Sequence, residues 1–236
     1  MKSKYRYLVP NGITFASLAC GIISILLAAS GQLKAASYLI LASYVLDLFD
    51  GASARYLEAG SEFGLQLDSL VDMVSLGTAP AVLAFMHMTS VDIAAPWIWS
   101  TTVLFPLAGA YRLARFNLLP PKKSGSGDSV GLTITSAGAT IALSVLAATA
   151  PPLKMMPNIP SFWFVVMILA TCILMVSRIP FPSFLGVFSS KQKNAVLLVL
   201  FGISILLTPT FFNAWFFWNS TYLGVSIAQA SYKSLQ

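Results

Sequence analysis

The sequence predicts an all-α integral membrane protein with about eight spans. Three observations lead there. First, 57% of the 236 residues are hydrophobic and 9% are charged, against roughly 25% charged in soluble domains. Second, the apolar residues run in blocks about 20 residues long, enough to cross a ~30 Å hydrocarbon core. Third, the basic residues fall almost wholly on one side of those blocks. A soluble core of this size would need far more polar surface. The composition therefore predicts a single membrane-embedded domain over 1–236, with no separate soluble one.

The expected spans are 8–30, 35–55, 64–86, 93–117, 130–150, 160–178, 194–209 and 212–230. The first reads as a retained span, because no A-x-A-like site leads from it into a soluble region. The second and third contain four acidic residues at membrane depth. The fourth ends in Arg112 and Arg115, and the loop after it, Lys122 to Asp128, is rich in Gly and Ser and reads as a linker. Cys20 and Cys172 lie in separate apolar runs and read as small packing residues. The connection from Ile179 to Lys193, with Pro180 and Pro182, is expected along the membrane surface. The last two spans are barely long enough to cross and read equally as one hairpin broken around Pro209. No internal repeat is evident, which weighs against a secondary transporter.

With the N-terminus in the cytoplasm, twelve of the fourteen Lys and Arg residues face that side. They are Lys2, Lys4, Arg6, Arg55, Arg112, Arg115, Lys122, Lys123, Arg178, Lys191, Lys193 and Lys233; only Lys34 and Lys154 face the other. This is a strong positive-inside bias. Trp97, Trp99, Trp163, Trp215 and Trp218 fall near the far-side span ends, where interfacial belts favour Trp. The formal charge of +6 is thus explained by topology and anionic-lipid attraction, not by nucleic acid. The expected location is the cytoplasmic membrane.

The chemistry is expected where the acids cluster. Of eight acidic residues, Asp47, Asp50, Asp68 and Asp72 lie inside the second and third spans. Charge at that depth must face protein, water or a cation. Asp47 and Asp50 are i,i+3 on one helix, and Asp68 and Asp72 are i,i+4 on the next. At ~1.5 Å per residue, Asp50 and Asp68 both lie roughly 6–7 Å below the cytoplasmic helix ends, and Asp47 and Asp72 both about 12 Å below. An antiparallel hairpin would bring them into one cleft open to the cytoplasm. Oxygen-only ligands suit hard divalent cations such as Mg²⁺ or Mn²⁺. Carboxylates around a metal pair are the usual equipment for phosphoryl displacement. The single His, His87, sits at the far-side end of the third span and is expected to be interfacial, not a ligand. Gly51 and the small residues after it would let a ligand approach the backbone closely, or serve helix packing. Arg55 offers a fixed cation suited to phosphate.

Written out, the segment is Asp47-x2-Asp50-Gly51-x2-Ala54-Arg55-x8-Gly64-x3-Asp68-x3-Asp72. It resembles, position for position, the signature D-x2-D-G-x2-A-R-x8-G-x3-D-x3-D of the CDP-alcohol phosphotransferases. The resemblance implies a six-helix catalytic core, here with about two further C-terminal helices, often assembled as a homodimer. It implies that Asp47, Asp50 and Asp68 bind a pair of divalent ions, with Asp72 as general base and in some members a further metal ligand. Gly51, Ala54, Arg55 and Gly64 would surround the cytidine nucleotide. Pro10-Asn11-Gly-Ile-Thr14 resembles the family's entry to its first helix; Asn11 would help order the nucleotide or act as a helix cap.

Two further runs resemble the serine-accepting branch of the family. Asp68-Ser69-Leu70-Val71-Asp72-Met73-Val74-Ser75-Leu76-Gly77-Thr78-Ala79-Pro80 follows that branch's D-S-L-x-D-x-V-S-F-G-x-A-P, with Leu76 for Phe. Gly109 to Asn117 follows G-A-x-R-L-A-R-F-N. Where the branch reads G-L-P-I-P, this chain has Thr133 and Thr135 in place of both prolines. The branch implies transfer of a phosphatidyl group from CDP-diacylglycerol to L-serine. Arg112 and Arg115, i,i+3 on one face, would grip the serine carboxylate or a lipid phosphate, and Asn117 would add an amide hydrogen bond. The alternative within the family is another acceptor, inositol phosphate or glycerol phosphate, or an ether-lipid donor.

Overall fold

The computed structural model describes residues 4–91, 93–118, 129–149, 161–181, 215 and 218–224. Its helices are α1 (Leu8–Ala29), α2 (Leu33–Tyr56), α3 (Glu62–Thr89), α4 (Ala95–Asn117), α5 (Ile134–Thr149) and α6 (Phe162–Val176). A further helical stretch covers 218–224. Among the described residues three helices, α1, α2 and α3, are long and apolar enough to cross a membrane by length and composition. The first six expected spans therefore each correspond to a helix. The seventh expected span, and the eighth outside 215 and 218–224, lie outside the described residues, as does the loop from Lys122 to Asp128.

α1 is built inside-out relative to a helix of a soluble bundle. On α1 the buried positions are Pro10, Thr14, Ser17, Gly21, Ser24 and Ala28, one stripe at helical spacing. The large apolar residues Leu8, Phe15, Ile22 and Leu26 point outward. Lipid is as apolar as Leu, so close approach of small residues and hydrogen bonds, rather than hydrophobic burial, drive helices together. The contacts bear this out. Ser17 and Ser43 hydroxyls meet at 2.6 Å between α1 and α2, and Ser24 donates to the Ala36 carbonyl at 2.9 Å.

α3 is the central helix. It packs on α1, α2, α4 and α5, and it is the most buried of the three long apolar helices. One wide, π-type turn at Met73–Thr78 interrupts it directly after Asp72. Three neighbours close on that turn. Ser75 donates to the Ser17 carbonyl of α1 at 3.1 Å. A Cβ placed on Gly138 of α5 would lie 2.5 Å from the Leu76 carbonyl oxygen. Ile134 Cδ1, for which Gly109 of α4 leaves room, would lie 3.2 Å from a Cβ on Gly77 of the turn.

The α2–α3 turn aligns the two acidic helices. α2 closes with Leu57 N donating to Ser53 O and Ala59 N to Ala54 O. Glu58 adopts φ 49°, the left-handed conformation common just past a helix end. Ser61 then caps α3, accepting from Gly64 N at 3.0 Å. On the same side of the bundle, Ser129–Val130 pairs antiparallel with Pro180–Phe181.

Two residues depart from expectation. His87, at the far-side end of α3 as expected, is buried rather than exposed, its ring 4.5 Å from that of Phe164 on α6. Trp215 is not at a span end: its ring is 5.6 Å from that of Tyr44, near the middle of α2 and one turn from Asp47. Both rings bury aromatic surface against another helix, a pairing hydropathy alone does not reveal.

Candidate active site

Asp47 and Asp50 leave α2 on one face because three residues make nearly one turn; Asp68 and Asp72 leave α3 likewise. The hairpin brings them together as the spacing predicts. Oxygens from Asp47, Asp50 and Asp68 all lie within 4.8 Å of one another. Asp72 approaches Asp47 within hydrogen-bonding reach and also faces Asp68. Asp50 and Asp72 are buried, Asp47 and Asp68 half-buried. Four carboxylates this close repel one another, and bringing them out of water adds a further cost.

Oriented donors meet them from other helices. Thr14 of α1 donates to Asp50 Oδ2 at 2.7 Å and shares its hydroxyl with the Pro10 carbonyl at 3.0 Å. Thr135 of α5 lies near the Asp47 carboxylate. Arg112 of α4 is buried beside Asp72 and Asp47 and supplies one positive charge. Its guanidinium carbon is 5.8 Å from the Phe116 ring centroid. Thr14 and Thr135 were not singled out from the sequence as site residues. The only sequence signals were the terminal Thr of the first-helix motif and the replacement of a proline.

The donor set fits a hard divalent ion. It presents carboxylate oxygens without sulfur or imidazole, and three of them converge. Asp47, Asp50 and Asp68 would hold such an ion, with Asp72 at its edge.

The residues expected around the nucleotide fall in two groups, one at the start of α3 and one at the end of α2. Asn11 Oδ1 would lie 3.7 Å from a Cβ on Gly64, which places the start of α1 against the start of α3. At Gly51 a Cβ would meet only the Arg55 guanidinium, with Nη1 at 3.6 Å. The Arg55 side chain thus folds back along the α2 surface over Gly51. Ala54 is half-buried on the same turn.

The residues expected at the acceptor separate into three situations. Arg112 faces the aspartates, as described. Arg115 is bound elsewhere: it donates to the carbonyls of Val176 at 2.9 Å, Val130 at 2.8 Å, Ser177 at 3.1 Å and Met175 at 3.4 Å. It thereby closes the end of α6, where unpaired carbonyls and the helix dipole favour a cation. Gly131 fits the same knot, with φ +79° and no room for a Cβ beside Met175 O at 2.7 Å. Asn117 donates to Ser69 Oγ at 3.1 Å, tying the end of α4 to the residue after Asp68.

Comparison with known proteins agrees with this geometry. Residues 7–173 match the family model described as CDP-alcohol phosphatidyltransferase. Several relatives carry the name CDP-diacylglycerol–serine O-phosphatidyltransferase. One from Helicobacter pylori is 31% identical over 207 residues, covering 86% of this chain and 83% of its own. One from Mycobacterium leprae is 33% identical over 207 residues, covering 86% of this chain and 68% of its own. One from Bacillus subtilis is 32% identical over 181 residues, covering 75% of this chain and 90% of its own. With the aspartate constellation in place on α2 and α3 and the family model spanning α1 to α6, the chain belongs to the CDP-alcohol phosphatidyltransferase family.

Proposed function

We propose that the protein transfers the phosphatidyl group of CDP-diacylglycerol to the hydroxyl of L-serine, releasing CMP. The observation that carries this is the convergence of Asp47, Asp50 and Asp68 oxygens, with Asp72 adjoining. The relatives' shared name supplies the acceptor.

Asn11, Gly51, Ala54, Arg55 and Gly64 receive the cytidine diphosphate, with the Arg55 guanidinium close enough to Gly51 to meet a phosphate lying on that backbone. Asp47, Asp50 and Asp68 would hold Mg²⁺ or Mn²⁺, expected as a pair, which would supply charge neutralisation to the phosphate oxygens. Asp72 accepts the proton of the serine hydroxyl. The serine oxygen attacks the phosphorus that bears diacylglycerol; the bond from that phosphorus to the bridging oxygen of CMP breaks. A phosphodiester, CMP and one proton on Asp72 result. Positioning and charge neutralisation supply most of the acceleration in phosphoryl transfer generally. Arg112, buried against Asp72, is the residue we assign to the serine carboxylate. Arg115 and Asn117 hold the surrounding helices in register, consistent with their bonds to backbone and to Ser69.

The same reading puts the protein in the cytoplasmic membrane, as a homodimer, with the cleft facing the cytoplasm. The donor's acyl chains stay in the bilayer. The deciding experiment is an acceptor screen. Purified protein with CDP-diacylglycerol is offered L-serine, inositol phosphate or glycerol phosphate, with and without Mg²⁺ or Mn²⁺. CMP release that requires both serine and metal is expected. Release with another acceptor and none with serine overturns the serine assignment while leaving the family chemistry intact.

A further inference from the structure

Asp72 is buried, and the residue after it opens the wide turn of α3, Met73–Thr78. In a regular α-helix each carbonyl accepts from the N–H four residues on. In this turn two carbonyls are met from five residues on. Val74 O accepts from Ala79 N, and Met73 O accepts from the Thr78 hydroxyl at 3.0 Å. A helical threonine ordinarily bonds back across three or four residues. The Thr78 bond spans five, and so belongs to the wide form of the turn. The middle of the turn is seated separately. Ser75 donates to the Ser17 carbonyl at 3.1 Å, and a Cβ on Gly21 of α1 would lie 2.6 Å from Ser75 Cα. On the α5 side Gly138 makes room for the Leu76 carbonyl. Ser75 and Leu76 are thus fixed by α1 and α5, whereas Met73, which adjoins Asp72, is braced by Thr78.

A general base must be held within hydrogen-bond reach of the proton it takes, and a misplacement of ~1 Å costs on the order of 10²-fold in rate. An unbroken helix fixes each residue through its backbone ladder. Asp72 stands where that ladder widens, so its placement depends on what keeps the turn in one form. Single wide turns of this kind are frequent at functional sites. We propose that Thr78 is a positioning residue for Asp72: its hydroxyl, on the Met73 carbonyl, holds the wide turn in the form that keeps the Asp72 carboxylate in the cleft. The proposal rests on the reading of Asp72 as the general base. Thr78 itself meets no substrate; it lies six residues beyond Asp72, deeper along α3. Asp47, Asp50, Gly51, Ala54 and Arg55 belong to α2, outside the turn. Loss of the brace therefore acts on the chemical step and not on donor binding.

The test is a double-mutant cycle on the purified full-length protein. CMP release from CDP-diacylglycerol is followed with Mn²⁺ and the acceptor that supports turnover, well below the unfolding temperature of each variant. The variants are Thr78→Val, Thr78→Ser, Asp72→Asn and Asp72→Asn with Thr78→Val. Thr78→Val is expected to lower kcat roughly 10- to 100-fold, with the KM for CDP-diacylglycerol within about twofold of wild type. Thr78→Ser keeps the hydroxyl and is expected within about threefold of wild type, since the bond to the carbonyl is retained. In the Asp72→Asn background the Thr78→Val change is expected to cost no more than about twofold further, because residues that act as a unit are not additive. Should Thr78→Val not fold, Thr78→Ala takes its place in the same cycle. A wild-type kcat in the hydroxyl-less variant overturns the proposal, as does an equal loss in Thr78→Ser or a fully additive loss in the double variant; each leaves Asp72 as the base. Near-normal turnover in Asp72→Asn alone overturns the base reading, and the proposal with it.

Discussion

Thr14 Oγ1 donates to Asp50 Oδ2 at 2.7 Å, a buried bond between helices α1 and α2 across 36 residues of chain. It ties the entry helix to a proposed metal ligand. Thr14→Val keeps the shape and deletes the donor, leaving a buried carboxylate oxygen without its partner. Turnover measured at limiting Mn²⁺ is expected to fall about tenfold, with recovery at high Mn²⁺ and near-normal behaviour in Thr14→Ser. A fall that no metal concentration relieves would assign Thr14 to helix packing alone.

Asp72 is separated in position from its three neighbours. It adjoins the converging set without being part of it. Asp72→Asn is nearly isosteric but takes no proton. The expected outcome is retained binding of CDP-diacylglycerol with turnover lowered by roughly 10²–10⁴-fold, the usual contribution of a general base. Asp47→Asn is expected to fail differently, by losing Mn²⁺-dependent stabilisation. Near-normal turnover in Asp72→Asn would remove it from the base role.

The two arginines at the end of α4 read alike in the sequence and differ in the structure. Arg115 lies on four backbone carbonyls around the end of α6, whereas Arg112 lies against Asp72 and Asp47. Arg115→Gln is expected to cost about 1.5–3 kcal/mol of stability, the worth of charged hydrogen bonds, and to leave the KM for serine unchanged in the folded fraction. Arg112→Gln is expected to raise the serine KM or abolish turnover. Serine kinetics measured beside thermal unfolding distinguish them; a serine KM that follows Arg115 reverses the assignment.

Why this pair was not separable beforehand has a physical reason. A motif fixes spacing along one helix, and i,i+3 spacing places two guanidiniums on roughly one face without stating what each meets. The acids are the opposite case. Asp47, Asp50, Asp68 and Asp72 sit on adjacent antiparallel helices joined by a short turn, so their matching depth followed from rise per residue, and the structure supplied the meeting of the two faces. What stayed hidden were juxtapositions of distant segments: Thr14 on Asp50, Thr135 near Asp47, Arg115 on the α6 carbonyls, Trp215 on Tyr44. Thr133 and Thr135 registered only as replacements of prolines. In the structure Thr133 caps α5 through its hydroxyl, a task that proline cannot perform, and Thr135 lies near Asp47.

Glycines near the site divide into packing and binding positions, and alanine substitution should tell them apart. A Cβ at Gly138 would lie 2.5 Å from the Leu76 carbonyl oxygen and 3.1 Å from Pro80 Cγ, in the wide turn after Asp72. The obstacle is backbone, which cannot rotate away, so Gly138→Ala forces α5 off α3 and is expected to cost about 1–3 kcal/mol. Gly51 is the contrary case. A Cβ there meets nothing closer than the Arg55 Nη1 at 3.6 Å, ordinary contact with a flexible side chain. Gly51→Ala should therefore fold with wild-type Tm. If the space above Gly51 receives the nucleotide, the methyl group occupies it, and the KM for CDP-diacylglycerol rises severalfold while that for serine does not. Thermal unfolding and donor titration of both variants give four numbers, and the expected pattern is one variant weakened in stability alone and the other in donor binding alone. A Gly51→Ala protein with unaltered donor KM would place the nucleotide elsewhere than on the α2 surface beneath Arg55.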